Sequence, residues 1–222
     1  MANVMPPPAY AGTPVLTALT AGTILFRVHK ASYSPVAFNS SLSHRYYGGG
    51  RFDPTDDDAY TYLYAGESID VAIAETLLRD LPFDQAGVLR VPLARIRGRR
   101  ISMLSVTTDL ALVSLRKLAD LAAVSQDPWL TTCGPSFYAQ SRHWAHWIRQ
   151  KAPTAAGYVW MSHREPTAQA YVLFGDRVPD GAIAIAGDPR LIKESEAQFD
   201  SATGRRALRR RLATYNVAVS GR

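Results

Sequence analysis

The sequence predicts an α+β fold, on three observations. Strand-like alternation appears early and late in the chain, helical periodicity fills the middle, and the two do not alternate as βαβ units. At 222 residues with 47% hydrophobic content, the chain can bury one good core, and roughly one domain is expected.

The elements follow in order. Residues 1–19 open with MANVMPPPAYAGTPV, whose prolines make an extended lead-in without the basic and apolar regions of a secretory signal. TAGTILFRVHK (20–30) reads as a strand, with Ile24, Phe26 and Val28 alternating against Leu25 and Arg27. Residues 31–50 form an irregular loop ending in YYGGGRF (46–52), and Asp53–Asp58 is a second polar loop. The three glycines fit either a turn or a ligand loop ending in the anion-seeking Arg51, although GxGxxG and GxxxxGK[ST] are both absent.

TYLYAG (61–66) is a short strand, and Ser68 caps a helix through IDVAIAETLLRD. GVLRVPL (87–93) is a strand whose Pro92 favours an edge. DLALVSLRKLADLAAV (109–124) reads as a second helix. A third starts near Pro135 and runs through SFYAQSRHWAHWIRQ. GYVWMS (157–162) and AYVLFGD (170–176) pair as strands across HREPTAQ, and GRRALRRRLATY makes an amphipathic terminal helix around Leu208 and Leu212. The expected division is a lead-in over 1–19, a main domain over 20–186, and a basic helical extension over 187–222 packed on that domain.

The formal charge of +6 concentrates in Arg95–Arg100 and Arg205–Arg211. A solvated helix face accounts for this, with an acidic partner as the alternative; no nucleic-acid motif accompanies it, so direct nucleic-acid binding is not expected. No apolar run reaches the ~18 residues of a membrane span. The lone Cys133 cannot form an intrachain disulfide, which makes the cytoplasm the default location.

Three residues stand out chemically. Glu75 lies in an otherwise apolar helix, where it is either a functional carboxylate or the partner of Arg79 in a surface i,i+4 pair. Arg27, inside an apolar strand, needs a charge partner, in a structural ion pair or an anion site. Ser162 ends an apolar run and suits a turn or a site. His143 and His146 have a ligand spacing but no HExxH pattern, and Trp144 and Trp147 between and beside them favour packing. AGESI is not a GxSxG elbow, and Cys133 lacks recognisable protease surroundings.

Taken in order, LFRVH, GGGRFDP, YLYAGESIDVAIAETLLRD, GYVWMS and AYVLFGD resemble the RES-domain family, over about residues 20–180. The family's Arg, Glu and Ser match Arg27, Glu75 and Ser162. Its GGRW-type element matches Gly49, Gly50 and Arg51, with Phe52 in place of Trp; its LYAS-type segment matches Leu63, Tyr64 and Ala65, with Gly66 where Ser is common. The resemblance implies an ADP-ribosyltransferase-like core of two twisted, mainly antiparallel sheets flanked by helices. It implies a toxin of a toxin–antitoxin pair that cleaves the nicotinamide–ribose bond of NAD, as a glycohydrolase or phosphorylase. The alternatives are a mono-ADP-ribosyltransferase acting on a protein and a non-catalytic nucleotide-binding module. NAD would be substrate, with no tightly bound cofactor and no metal, and the partner a helix-turn-helix, Xre-type antitoxin. Glu75 would stabilise the ribose cation, Ser162 would orient the ribose or nicotinamide, and Arg27, Gly49, Gly50, Arg51, Tyr64 and Tyr47 would bind the dinucleotide. The segments outside the resemblance are candidates for partner docking or homo-oligomer contacts.

Overall fold

The computed structural model describes residues 5–8, 12–187 and 198–220. Parts of the expected lead-in (1–4, 9–11) and of the C-terminal extension (188–197, 221–222) lie outside the described residues.

The strands are β1 (Leu16–Leu19), β2 (Ile24–Lys30), β3 (Tyr62–Gly66), β4 (Leu89–Pro92), β5 (Arg99–Val106), β6 (Leu110–Leu115), β7 (Gly157–Met161), β8 (Gln169–Phe174), β9 (Ile183–Ile185) and β10 (Val217–Ser220). The helices are α1 (Ile69–Ile73), which runs on into a π-helical turn at Ala74–Leu78, α2 (Leu93–Ile96), α3 (Leu118–Ala122), α4 (Trp129–Thr132), α5 (Tyr138–Lys151) and α6 (Ala202–Leu212).

An eight-stranded sheet runs β1-β6-β7-β8-β3-β2-β5-β9, and β4 pairs in parallel with β10 in a second sheet of two. Within the large sheet only β6–β7 is parallel. The α+β class and the mainly antiparallel architecture hold.

The central strands are buried on both faces, and so read as near-continuous apolar runs. Tyr158 and Trp160 of β7 and Val172 and Phe174 of β8 pack with Trp144, Ala145 and Ile148 of α5. Val159, Tyr171 and Leu173, on the opposite face, join Leu25, Leu63 and Leu104 in a second cluster. A third cluster joins α1 and β2 to the C-terminal helix through Val28, Ala72, Ile73, Leu208 and Leu212. Gly157 allows β7 to lie close to β8, since a Cβ there would stand 2.1 Å from the Val172 carbonyl oxygen. Gly157→Ala is therefore expected to cost about 1–3 kcal/mol, read as a lower denaturant midpoint at unchanged slope. An unshifted midpoint would show that the strands part without penalty.

The helix expected over 109–124 is corrected to strand β6 followed by the short α3. Leu110–Leu115 bonds to β1 on one side and β7 on the other, and burial on both faces erases the period that separates strand from helix. Strands β1, β5, β9 and β10 had no counterpart in the sequence-based expectation. In β5 the Arg99–Arg100 pair and Ser102 interrupt the apolar pattern of Ile101, Met103 and Leu104, which masks the strand.

Candidate active site

The site is created where β2 and β3 part. They share one paired position, Phe26↔Gly66, after which β2 stays with β5 as far as Lys30↔Arg99 while β3 stays with β8. Between the diverging strands lies a cleft of about 490 Å³, lined by Phe26–Lys30 on one wall and by Tyr62, Tyr64 and Ala65 on the other, with Glu75, Thr76 and Arg79 above.

Ser68 starts α1 by accepting a hydrogen bond from Val71 N at 3.2 Å. Gly66 lets that helix rest on β3: a Cβ at 66 would meet Ala72 N at 2.7 Å. The glycine at the position where the family often has Ser is thus a packing requirement in this chain. Just beyond, the π-helical turn carries Glu75; such turns recur at functional sites because they re-aim side chains. Of the two readings of Glu75, the surface i,i+4 pair with Arg79 does not form: Arg79 pairs with Asp80 at 3.4 Å, and Glu75, lining the cleft, turns to Ser162.

Both Glu75 oxygens are held. Oε1 accepts from Ser162 Oγ at 2.7 Å and from His163 N at 3.3 Å, and Oε2 accepts from Arg51 Nη1 at 3.5 Å. Ser162, just past β7, is itself fixed by donating its N–H to Ala168 O at 3.0 Å. Arg51 is almost wholly buried and donates its Nε to Cys133 O at 3.2 Å, so it lies behind Glu75 and not among the cleft-lining residues.

Arg27 is buried in the cleft wall, and its Nη1 donates to the carbonyls of Pro35 and Ala37, both at 2.6 Å. Among the described residues it has no carboxylate partner. Burial, slightly offset by Tyr62, lowers its pKa to about 10, so it is a desolvated cation at neutral pH. Neighbouring His29 is neutral, with its pKa pushed down to about 4 by burial against a partial offset from the Lys30 carbonyl, and pushed down further by Arg27, Arg100 and Arg99. Its Nδ1 must donate to Lys30 O (2.8 Å), leaving Nε2 to accept from Ser102 Oγ (2.8 Å).

The glycine loop is built from inside. Gly48 and Gly49 have φ of +64° and +71°, and a Cβ on Gly49 would stand 2.2 Å from Ser43 Oγ. Asp53 clamps the loop, accepting from Gly50 N at 2.7 Å, Ser43 Oγ at 2.9 Å and Tyr64 Oη at 2.9 Å. Burial, reinforced by Asp53, keeps the Tyr64 phenol protonated by raising its pKa well above the ordinary value. From the other side Arg142 of α5 donates to the carbonyls of His44 (2.7 Å), Gly48 (2.7 Å) and Gly50 (3.2 Å). The Gly50 N–H is thereby committed to Asp53, and the loop lines the cleft without offering that donor to an anion.

Of the expected site residues, Arg27, Gly49, Gly50, Tyr64 and Glu75 line the cleft, and Ser162 and Arg51 grip Glu75. Tyr47 does not line it; it is exposed and stacks on His44 with centroids 3.6 Å apart. Phe52, in the family's Trp position, is fully buried edge-on against Tyr158 and Trp160. The structure adds Asp53 and Arg79, which lie within the GGGRFDP and YLYAGESIDVAIAETLLRD segments but are not among the expected site residues, and Arg142, which lies outside those segments. Burial opposes the Arg79 cation, but Tyr138, Asp80, Tyr64 and Asp53 outweigh it and hold its pKa above the ordinary value. Among the described residues no cluster of side chains suits a metal ion, and no helix is long and apolar enough to cross a membrane.

Residues 24–194 match the RES domain family. In a comparison of structures, the chain is similar to a chain of the M. tuberculosis MbcT–MbcA toxin–antitoxin complex. The TM-score is 0.53 at 15% identity, covering 77% of this chain and 84% of that one. At that identity the likeness speaks for the fold. No curated protein matches the chain by sequence.

Proposed function

The chain belongs to the RES domain family, and on that premise we propose that it binds NAD in the β2–β3 cleft and cleaves the nicotinamide–ribose bond. The observation that carries this reading is the pairing of a buried, carboxylate-free Arg27 with a carboxylate, Glu75, immobilised at both oxygens in the same cleft. A cation without a protein counter-ion suits the pyrophosphate, which Arg27 can reach with Nε and Nη2 because its protein contacts use Nη1.

Cleavage is heterolytic. The C1″–N bond breaks, its electron pair stays with nicotinamide and neutralises the pyridinium, and the ribose is left as an oxocarbenium-like cation. A fixed carboxylate beside that cation stabilises it by several kcal/mol when water is excluded. Glu75 serves this purpose, with Ser162 and Arg51 setting its angle before substrate arrives. Tyr64 offers an aromatic edge to the dinucleotide. The cation is then captured by water, phosphate or a protein nucleophile. NAD enters as substrate, so no resident cofactor is part of the scheme.

We further propose that the protein is the toxin of a toxin–antitoxin pair, with a helix-turn-helix antitoxin as partner and the cytoplasm as compartment. The support is family membership together with a fold shared with a chain from such a complex. Expression without the partner should arrest bacterial growth.

The direct test is nicotinamide release from NAD by purified protein, with the co-product identified by NMR in the presence and absence of phosphate. Free ADP-ribose identifies water as acceptor, its 1″-phosphate identifies phosphate, and labelled protein identifies transfer. Binding without release would make the protein a dinucleotide-binding module instead. Arg27→Ala should raise KM for NAD about tenfold or more, equivalent to losing one charge-assisted contact. The variant leaves the Pro35 and Ala37 carbonyls without their donor, partly offset by relief of the buried charge. A denaturant melt therefore accompanies the kinetics, to separate loss of fold from loss of binding. A KM equal to wild type would assign Arg27 to holding the 35–37 loop alone.

A further inference from the structure

Lys30 lies three residues beyond Arg27, about 10 Å along β2, and by strand alternation on the opposite face, shared with Val28; both residues border the cleft. Lys30 and Arg99 are Cα partners across β2 and β5, and both line the cleft at the end away from the Phe26↔Gly66 junction. Like charges directly opposite each other on neighbouring strands repel. Arg99 is half-buried, and burial together with the nearby Arg95 guanidinium lowers its pKa. Among the described residues no carboxylate pairs with Lys30 or Arg99. The nearby Asp200 carboxylate is committed to Gly98 N at 3.0 Å, and Arg95 donates to Leu77 O at 3.2 Å. The adjacent His29 is neutral and has both nitrogens engaged. Among the described residues, this end of the cleft therefore carries two cations without a carboxylate partner.

We propose that Lys30 and Arg99 form a second phosphate subsite that takes the 2′-phosphate of a 2′-phosphorylated nicotinamide dinucleotide. The assignment rests on the reading of the cleft as a dinucleotide site. With the nicotinamide ribose at Glu75 and the pyrophosphate at Arg27, the adenosine ribose extends toward Lys30 and Arg99. The pair then selects the substrate carrying a third phosphate.

The test uses the full chain and two measurements. Calorimetry compares adenosine 2′,5′-bisphosphate, AMP and inorganic phosphate on wild type, Lys30→Ala and Arg99→Ala. Nicotinamide release compares NADP with NAD on the same three proteins. The bisphosphate should bind wild type about tenfold or more tightly than AMP. Each substitution should remove most of that advantage, and kcat/KM for NADP should fall about tenfold while that for NAD falls less than about threefold. If inorganic phosphate alone binds wild type and speeds NAD turnover, with both effects lost in Arg99→Ala, the subsite stands and the free ion is its occupant. Equal affinity of wild type for bisphosphate and AMP, unchanged in both variants and without phosphate binding, overturns the subsite. Absence of release from either dinucleotide, with the bisphosphate advantage intact, would overturn the cleavage reading and leave the subsite standing.

Discussion

Glu75→Gln is expected to lower kcat for nicotinamide release from NAD by about 10²–10³-fold, with NAD affinity and folding retained. The magnitude is that of removing one preorganised electrostatic partner from a charged transition state. The exchange is nearly isosteric, so the amide oxygen can still accept from Ser162 Oγ and His163 N, which hold Oε1 at 2.7 and 3.3 Å. What disappears is the negative charge facing the ribose cation, together with the 3.5 Å contact from Arg51 Nη1, which would meet the amide NH2. Ground-state binding depends on Arg27, on the other wall, and should persist. Steady-state kinetics alongside calorimetric NAD binding check this, and a kcat like that of wild type would remove Glu75 from the chemistry.

Arg142→Met should have the largest effect on the architecture, destabilising the fold by about 2–4 kcal/mol. The guanidinium is fully buried, and its donors collect the carbonyls of His44, Gly48 and Gly50. Methionine fills much of the volume but removes the donors from all three carbonyls, leaving the buried Gly50 carbonyl unpaired and the part-buried His44 and Gly48 carbonyls to compete for water. The glycine loop should then loosen, and NAD affinity should fall with it. Denaturant melts measure the first effect, and hydrogen exchange over residues 44–50 measures the second. Unchanged exchange there would mean that Asp53 alone holds the loop.

Parts of this site were legible in the chain itself. The ordered motifs around Arg27, Gly49–Arg51, Tyr64, Glu75 and Ser162 marked residues that the structure gathers around one cleft, although they span 135 positions between Arg27 and Ser162. The roles of two were less legible. Arg51 and Tyr47 both looked like ligand contacts, yet one lies buried behind Glu75 and the other points outward onto His44. Residue type identified chemistry; direction depended on packing that short motifs do not encode.

The sequence by itself determined the elements whose signal is local. A Ser cap and an apolar face sufficed for α1, Pro135 for the start of the segment leading into α5, Leu208 and Leu212 for α6, and alternation for β2 and β3. Only the tertiary structure decided that Leu110–Leu115 is a strand, since that choice came from partners on both sides and not from its own period. It also decided which arginine does what. Arg142 meets Gly48 across a separation of 94 residues, and Ser162 meets Glu75 across 87. The energy of a buried charge depends on what surrounds it, and those surroundings come from distant segments brought together by burial of the core.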